Sequence, residues 1–217
     1  MKIHEKEELL FGEWELSVPG LVKDGIVSEN EYNKAKYKIV YILKEVNGGK
    51  NWDLRDFLSD EKGGRPDTWD NISRWTKGIL NIEKEIEWND LKKDNEKRRI
   101  DYLKKICAMN LKKTSGKDTS NKHEIELASK RDSDFLKRQY ELYQPDITVC
   151  CGTASDFFDT IYSDNKREWL QTSRGINYEK DNGRIIIDYA HPASRTKPCL
   201  LYYGLMDAVR EILSIKL

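Results

Sequence analysis

The chain is poor in the residues that hold metals and form disulfides. It has four cysteines and three histidines in 217 residues. Cys107, Cys150, Cys151 and Cys199 include no Cys-x-x-Cys, and no histidine lies near them at zinc-site spacing. We therefore expect no metal, no iron–sulfur cluster and no other cofactor, and read the cysteines as reduced, mostly buried thiols. No apolar run reaches the roughly 18–20 residues that span a bilayer, so no membrane partner is expected. The opening Met-Lys-Ile-His-Glu-Lys-Glu-Glu lacks the apolar core of a signal peptide, which points to a cytoplasmic protein. Net charge is missing as well: 38 Lys and Arg balance 38 Asp and Glu. A generally basic nucleic-acid coat is excluded, whereas a local basic patch is not, because the field at a cleft depends on arrangement. There is no internal repeat and no low-complexity linker. The length suits one domain over residues 1–217, with a monomer as the simplest assembly.

What is present is a series of short apolar runs separated by helical patterns. Lys38–Glu45, Lys105–Leu111, Asp146–Cys151 and Arg184–Ala190 read as buried strands, here called strands one to four. Between them lie helical segments at 51–61, around Trp69, Ile72, Trp75 and Ile79, at Ile86–Leu103, at 122–143 and at Ser155–Tyr162. A last helix runs from Cys199 to Ile215. Ser28 with Glu31 forms a capping-box pattern that starts a helix to Lys36. Residues 1–27 show no clear period and read as an irregular arm, so that 1–36 is an arm and helix packed on the domain. The stretch 163–182 reads as polar and irregular. Strands alternating with helices, each strand a continuous apolar run, indicate an α/β fold. A three-layer α/β/α sandwich with a four-stranded parallel sheet is expected.

In such a sheet ligands bind beyond the carboxyl ends of the strands. Strand one leads to Asn47, Gly48 and Gly49, and strand two to Asn110, Lys112 and Lys113. Strand three leads to Gly152, Thr153 and Ser155, and strand four to His191, Ser194 and Arg195. Four polar ends on one rim suit cleavage of an N-glycosidic bond. That reaction builds negative charge on the departing base and positive charge on the sugar. A histidine fixed by a following proline can donate to the base, as an oxyanion hole does. An asparagine can orient the attacking water, and a second asparagine, offering donor and acceptor together, can read an amide-like base edge.

These residues resemble the uracil-DNA glycosylase superfamily. The nearest branch carries Gly-Met-Asn-Pro-Gly after the first strand and His-Pro-Ser-Pro-Arg-Asn after the last. Here Glu45-Val46-Asn47-Gly48-Gly49 and His191-Pro192-Ala193-Ser194-Arg195-Thr196 stand in those places. Ala108-Met109-Asn110-Leu111-Lys112-Lys113 is similar to the strand with the base-reading Asn, and Pro145–Gly152 to the third strand and its Gly turn. The similarity spans about residues 37–217. It implies sheet order 2-1-3-4, a water-orienting Asn47 and a leaving-group donor in His191. It further implies that Asn110 reads the base, that Trp52 or a neighbour stacks on it, and that Gly48 and Gly49 shape the pocket. Ser194 and Arg195 would contact backbone phosphate. Lys112, Lys113, Lys117, Gly152 and Thr153 are further candidates for phosphate or DNA contact. The implied activity is a monofunctional hydrolase of uracil or a related damaged base in single- or double-stranded DNA, with base flipping and a role in DNA repair. The first motif departs from the family in lacking its leading Gly and its Pro, and Ala193 replaces a Ser. Two other readings therefore stand: a non-catalytic module binding nucleic acid or nucleotide, and a hydrolase of free nucleosides or nucleotides.

Bland readings compete at several positions. Asn47-Gly48 is a common turn dipeptide. His4 and His123 read as solvated, and Trp69 and Trp75 as core. The run Lys92–Arg99 reads as a solvated helix face. Ser115-Gly116-Lys117 is not a phosphate-binding Walker loop, because Leu111 occupies the place of its first glycine.

Overall fold

A computed structural model describes residues 1–60, 66–116, 120–162 and 169–214. In chain order the elements are α1 (Ile3–Glu15), β1 (Gly25–Ile26), α2 (Glu29–Lys34), β2 (Ile39–Leu43), α3 (Leu54–Ser59), α4 (Pro66–Leu80), α5 (Trp88–Leu91), α6 (Asn95–Leu103) and β3 (Ile106–Asn110). They continue with α7 (Lys122–Arg131), α8 (Ser133–Tyr143), β4 (Ile147–Cys151), α9 (Ala154–Ile161), β5 (Leu170–Gln171), β6 (Asn177–Asp181), β7 (Arg184–Tyr189) and α10 (Pro198–Leu213).

The molecule is α/β, with one mixed sheet in the order β1-β3-β2-β4-β7-β6-β5. The four expected strands are β2, β3, β4 and β7. They are mutually parallel, and β2 and β4 lie at the centre. The expected sheet of four parallel strands is corrected to seven strands of mixed direction among the described residues. β1 adds antiparallel to β3, and the hairpin β5–β6 adds antiparallel to β7. β6 was hidden in the sequence because its residues Asn-Tyr-Glu-Lys-Asp are polar and none is fully buried.

Every residue of β2, β3 and β4 is buried, which explains their unbroken apolar runs: alternate side chains enter two different cores. Val40, Ile42, Cys107, Met109 and Ile186 meet α1, α7, α8 and α9 through Phe11, Trp14, Ile125, Tyr140 and Phe157. Ile39, Tyr41, Leu43, Ala108 and Val149 meet α3, α4 and α10 through Leu58, Ile72, Trp75 and Leu205. Each large apolar side chain so buried stabilises the fold by about 1.5–3 kcal/mol. Trp75 is fully buried and packs edge-on to Tyr189 at 5.5 Å. Gly78 lets α4 and α10 touch, since a Cβ there would lie 2.3 Å from the Met206 sulfur.

The arm is ordered rather than irregular. In α1 the buried residues are Glu7, Leu10, Phe11 and Trp14, an i, i+3, i+4, i+7 stripe whose first member is charged. Glu7 is held by Arg55 at 2.8 Å and accepts the Ile26 N–H. Burial outweighs these contacts and raises its pKa. Two long helices of the sequence reading are broken. The Ile86–Leu103 segment divides into α5 and α6 at Asp94, whose φ is +48°, and 122–143 divides at Asp132. Nor is Lys92–Arg99 simply a solvated face. Arg98 and Arg99 are buried; Arg98 donates to the Leu91 carbonyl and Arg99 pairs with Asp70. Among the described residues no helix is long and apolar enough to cross a membrane.

Candidate functional site

Because β2, β3, β4 and β7 run the same way, their carboxyl ends share one rim, and a cavity of about 620 Å³ opens there. Its wall includes Asn47, Gly48, Gly49 and Trp52 from the segment after β2, Asn110 from the end of β3, and His191 with Ala193 after β7. The volume falls within the usual range for small-molecule sites.

Asn47 sits on a turn that a second loop straps down. It forms an isolated parallel bridge with Gly116, and the Gly116 N–H donates to the Val46 carbonyl at 2.8 Å. The Ser115 hydroxyl lies against the carbonyls of Gly48 and Gly49. Gly48 has φ +147°, and a Cβ there would meet the Trp52 indole at 3.4 Å. The backbone favours glycine there, while a Cβ would meet the ring only at ordinary contact distance. Trp52 is half-buried and packs edge-on to Phe57 at 5.8 Å.

His191 is fixed from several sides. Its Nδ1 accepts the Ala193 N–H at 3.1 Å, and its carbonyl accepts the Ser194 N–H at 2.9 Å. The next carbonyl, that of Pro192, accepts from Asn71 Nδ2 at 2.8 Å, and Asn71 is oriented by Arg74 at 2.8 Å. Burial, assisted by the nearby Lys44 charge, lowers the His191 pKa. The ring is then neutral at pH 7, and with Nδ1 accepting, its proton is on Nε2. Gly152 has φ +67° and backs onto this turn, its absent Cβ 3.7 Å from the His191 nitrogen. Gly152 is therefore a support for the turn, not part of the cavity wall.

Asn110 is buried at the cavity wall. Its backbone N–H and its Nδ2 both donate to Asp24 Oδ2, at 2.8 and 3.1 Å. Its Oδ1 is buried without a hydrogen-bond partner among the described residues.

The candidates for phosphate contact fare differently. Lys113 is completely buried, paired with Asp24 at 2.6 Å and over the Trp14 ring at 5.2 Å. Thr153 is buried, its hydroxyl donating to the Ile42 carbonyl at 2.9 Å. Neither reaches a ligand at the rim, which corrects both expectations. Lys112 is nearly buried and paired with Glu45, so its charge is already met. Ser194 is half-buried, its hydroxyl without a partner among the described residues, and Arg195 is exposed; neither lines the cavity. Lys117 lies outside the described residues.

Sequence reading missed Glu45, Lys50, Thr68, Trp69 and Ser120 as cavity-lining residues. It also missed Asn71 and Asp24 behind the wall. A signal existed for Asp24: it interrupts the apolar neighbourhood Leu21-Val22-Lys23-Asp24-Gly25-Ile26-Val27. Nothing local marks Asn71.

No protein-family model matches the chain, and a search of curated proteins finds no match.

Proposed function

We propose that this chain is a monofunctional DNA glycosylase that hydrolyses the N-glycosidic bond of uracil or a related damaged base. The observation that carries the reading is the shared cavity: Asn47 and His191 line it together, with Trp52 and Asn110 in the same wall. A flipped-out base is the class of ligand this wall suits, since an aromatic side chain and amide groups recognise bases by stacking and by their edges.

In the proposed reaction a water oxygen attacks C1′ of the sugar while the bond from C1′ to the base nitrogen breaks. The bond's electron pair leaves on the base. His191, neutral and carrying its proton on Nε2, donates a hydrogen bond to the base oxygen that gathers this charge. Asn47 holds the attacking water, whose proton passes to solvent as the C1′ hydroxyl forms. The preset ring orientation supports such a role, because a donor that need not reorganise is worth more in the transition state. The α/β fold, with helices on both faces of the sheet and the parallel order β3-β2-β4-β7, is compatible with the family resemblance in the motifs.

The test is release of base from uracil-containing single- and double-stranded oligonucleotides. Formation of an abasic product by the wild type, strongly reduced in Asn47→Ala and His191→Ala, is expected; no product from either substrate removes the claim.

One observation favours a second reading, a hydrolase of free nucleosides or nucleotides on the same site. Lys112 and Lys113 are committed to Glu45 and Asp24 and are not available to phosphates. Salt separates the readings. Binding to DNA phosphates weakens steeply between about 50 and 200 mM salt, whereas binding of an uncharged nucleoside hardly changes. A substrate used as the nucleoside but not in an oligonucleotide selects the second reading.

A further inference from the structure

Two lysines expected to meet phosphate are already spent, Lys112 on Glu45 and Lys113 on Asp24. A third lysine is not. Among the described residues that line the cavity, Lys50 supplies the cation and Glu45 the carboxylate. Glu45 is held by Lys112, whereas Lys50 makes no ion pair with a described residue. His191 is neutral at pH 7, so the wall keeps one uncompensated positive charge, at Lys50. A concave site with a net charge of one sign concentrates ligands of the other.

Lys50 is also held in place. Its stem lies across Gly20, in the turn between α1 and β1. A Cβ at Gly20 would lie 3.1 Å from Lys50 Cδ and 3.4 Å from its Cβ and Cγ. The residue as a whole remains exposed, so the packed stem leaves the ammonium in solvent, as lysines on apolar surfaces do. Asn51, with φ +57°, turns the chain directly afterwards, and Lys50 and Trp52 line one cavity from either side of that turn. Asparagine tolerates this left-handed conformation better than most residues. A stem that is already packed has less rotamer freedom to lose when an anion binds. The cavity itself, about 620 Å³, is of the size that buries a whole drug-sized ligand and exceeds what a base alone fills. A nucleotide adds a sugar and a phosphate, and lysine serves phosphate as a point charge.

We propose that Lys50 is the anion-binding residue of the cavity, and that it pairs with the phosphate of the nucleotide whose base the same cavity holds. This rests on the nucleobase reading and names the part of the ligand beyond the base. The phosphate has two sources with one chemistry, the monophosphate of a free nucleotide and the phosphodiester of a strand.

The experiment measures binding of deoxyuridine and of its 5′- and 3′-monophosphates to the full chain, by intrinsic tryptophan fluorescence at about 50 mM salt. At least one monophosphate is expected to bind the wild type about tenfold or more tightly than the nucleoside, the scale of a hydrogen bond to a charged group. Lys50→Met is expected to cut that preference to about threefold or less and to leave nucleoside affinity within about twofold of wild type. Lys180→Met removes an exposed charge on β6, outside the cavity wall, and is expected to keep the preference. Equal binding of the nucleoside and both monophosphates by the wild type overturns the inference. So does a preference that survives Lys50→Met, or one that falls equally in Lys180→Met.

A uracil-containing single-stranded oligonucleotide separates the two sources. Where the strand supplies the phosphate, Lys50→Met makes the slope of log affinity against log salt shallower by about 0.7, one phosphate contact. An unchanged slope, with the monophosphate preference intact in the wild type, assigns the site to free nucleotides. Inorganic phosphate alone separates the anion site from the base reading. The ¹³Cε resonance of Lys50, assigned by its absence in Lys50→Met, is expected to shift saturably with inorganic phosphate. If it does so while no deoxyuridine compound binds, the base reading falls and Lys50 stands as an anion site. If the nucleoside binds while Lys50 responds to neither inorganic phosphate nor the monophosphates, the base reading stands and the role of Lys50 falls. No response to any probe overturns both.

Discussion

The Nδ1 of His191 accepts the backbone N–H of Ala193 at 3.1 Å. The bond makes the histidine turn depend on the ring staying neutral, because imidazolium carries a proton on both nitrogens and cannot accept. The folded state disfavours that proton through burial first and the Lys44 charge second. The folded pKa lies below the unfolded value near 6.5, so between the two the unfolded chain binds more protons and stability rises with pH. His191 thus contributes stability that is present above about pH 6.5 and lost as pH falls through the lowered pKa. Thermal denaturation followed between pH 7.5 and 5 is expected to show this loss, and His191→Gln to show less of it. Base release is expected to fall over the same window. His191→Ala is expected to lower base release about a hundredfold or more at pH 7.5; a loss under tenfold contradicts its role as leaving-group donor.

Asn71 supports the same turn from α4. Asn71→Ala leaves the Pro192 carbonyl and one Arg74 N–H without their partners. A buried group so abandoned costs about 1–3 kcal/mol. Chemical denaturation is expected to report that loss, and hydrogen exchange to show faster opening at Ala193 and Ser194. An unchanged exchange pattern there would mean that Asn71 does not anchor the turn.

The strap over Asn47 has a steric requirement at Gly116. A Cβ at this position would lie 2.0 Å from the Glu45 carboxyl carbon. Gly116→Ala is expected to push the loop away from Asn47 and to lower turnover at least about tenfold. Overpacking of this kind typically costs about 1–3 kcal/mol of stability. Comparison with Gly175→Ala, where a Cβ meets nothing but φ is +86°, separates a local steric effect from general strain, since that variant is expected to leave turnover unchanged.

Lys113 and Lys112 divide sharply despite being neighbours. Lys113→Ala strands the buried Asp24 carboxylate and is expected to destabilise the protein by about 3–5 kcal/mol. Asp24→Asn/Lys113→Met is expected to recover part of that. Urea denaturation of the three proteins checks both statements. A Lys113→Ala protein of wild-type stability whose DNA binding has lost salt dependence would restore the phosphate-contact reading of this residue.

The parallel strands were legible because each is a continuous apolar run closed by a polar turn, and their ends led to Asn47, Asn110 and His191. What escaped was whatever depends on a distant partner. Glu7 occupies a core position of α1 and so disguised an otherwise regular stripe; its partners Arg55 and the Ile26 N–H lie far along the chain. Lys113 looked like a rim cation because its neighbours in sequence are basic and polar, while its partner Asp24 lies 89 positions away. Asn71 sits on the amphipathic α4 with nothing to distinguish it, and its acceptor is 121 positions distant. The hairpin β5–β6 gave no apolar signal because its strands lie at the border of the sheet and are at most half-buried.

That border has a bearing on how the protein behaves in concentrated solution. The outermost strands, β1 and β5, are two residues each, and both run against the direction of the strand beside them. Among the described residues, a neighbouring molecule trying to extend the sheet meets short outermost strands, which offer little on which to template a ladder. The long apolar strands most prone to intermolecular stacking are kept in the middle, where no second chain can reach them without unfolding this one.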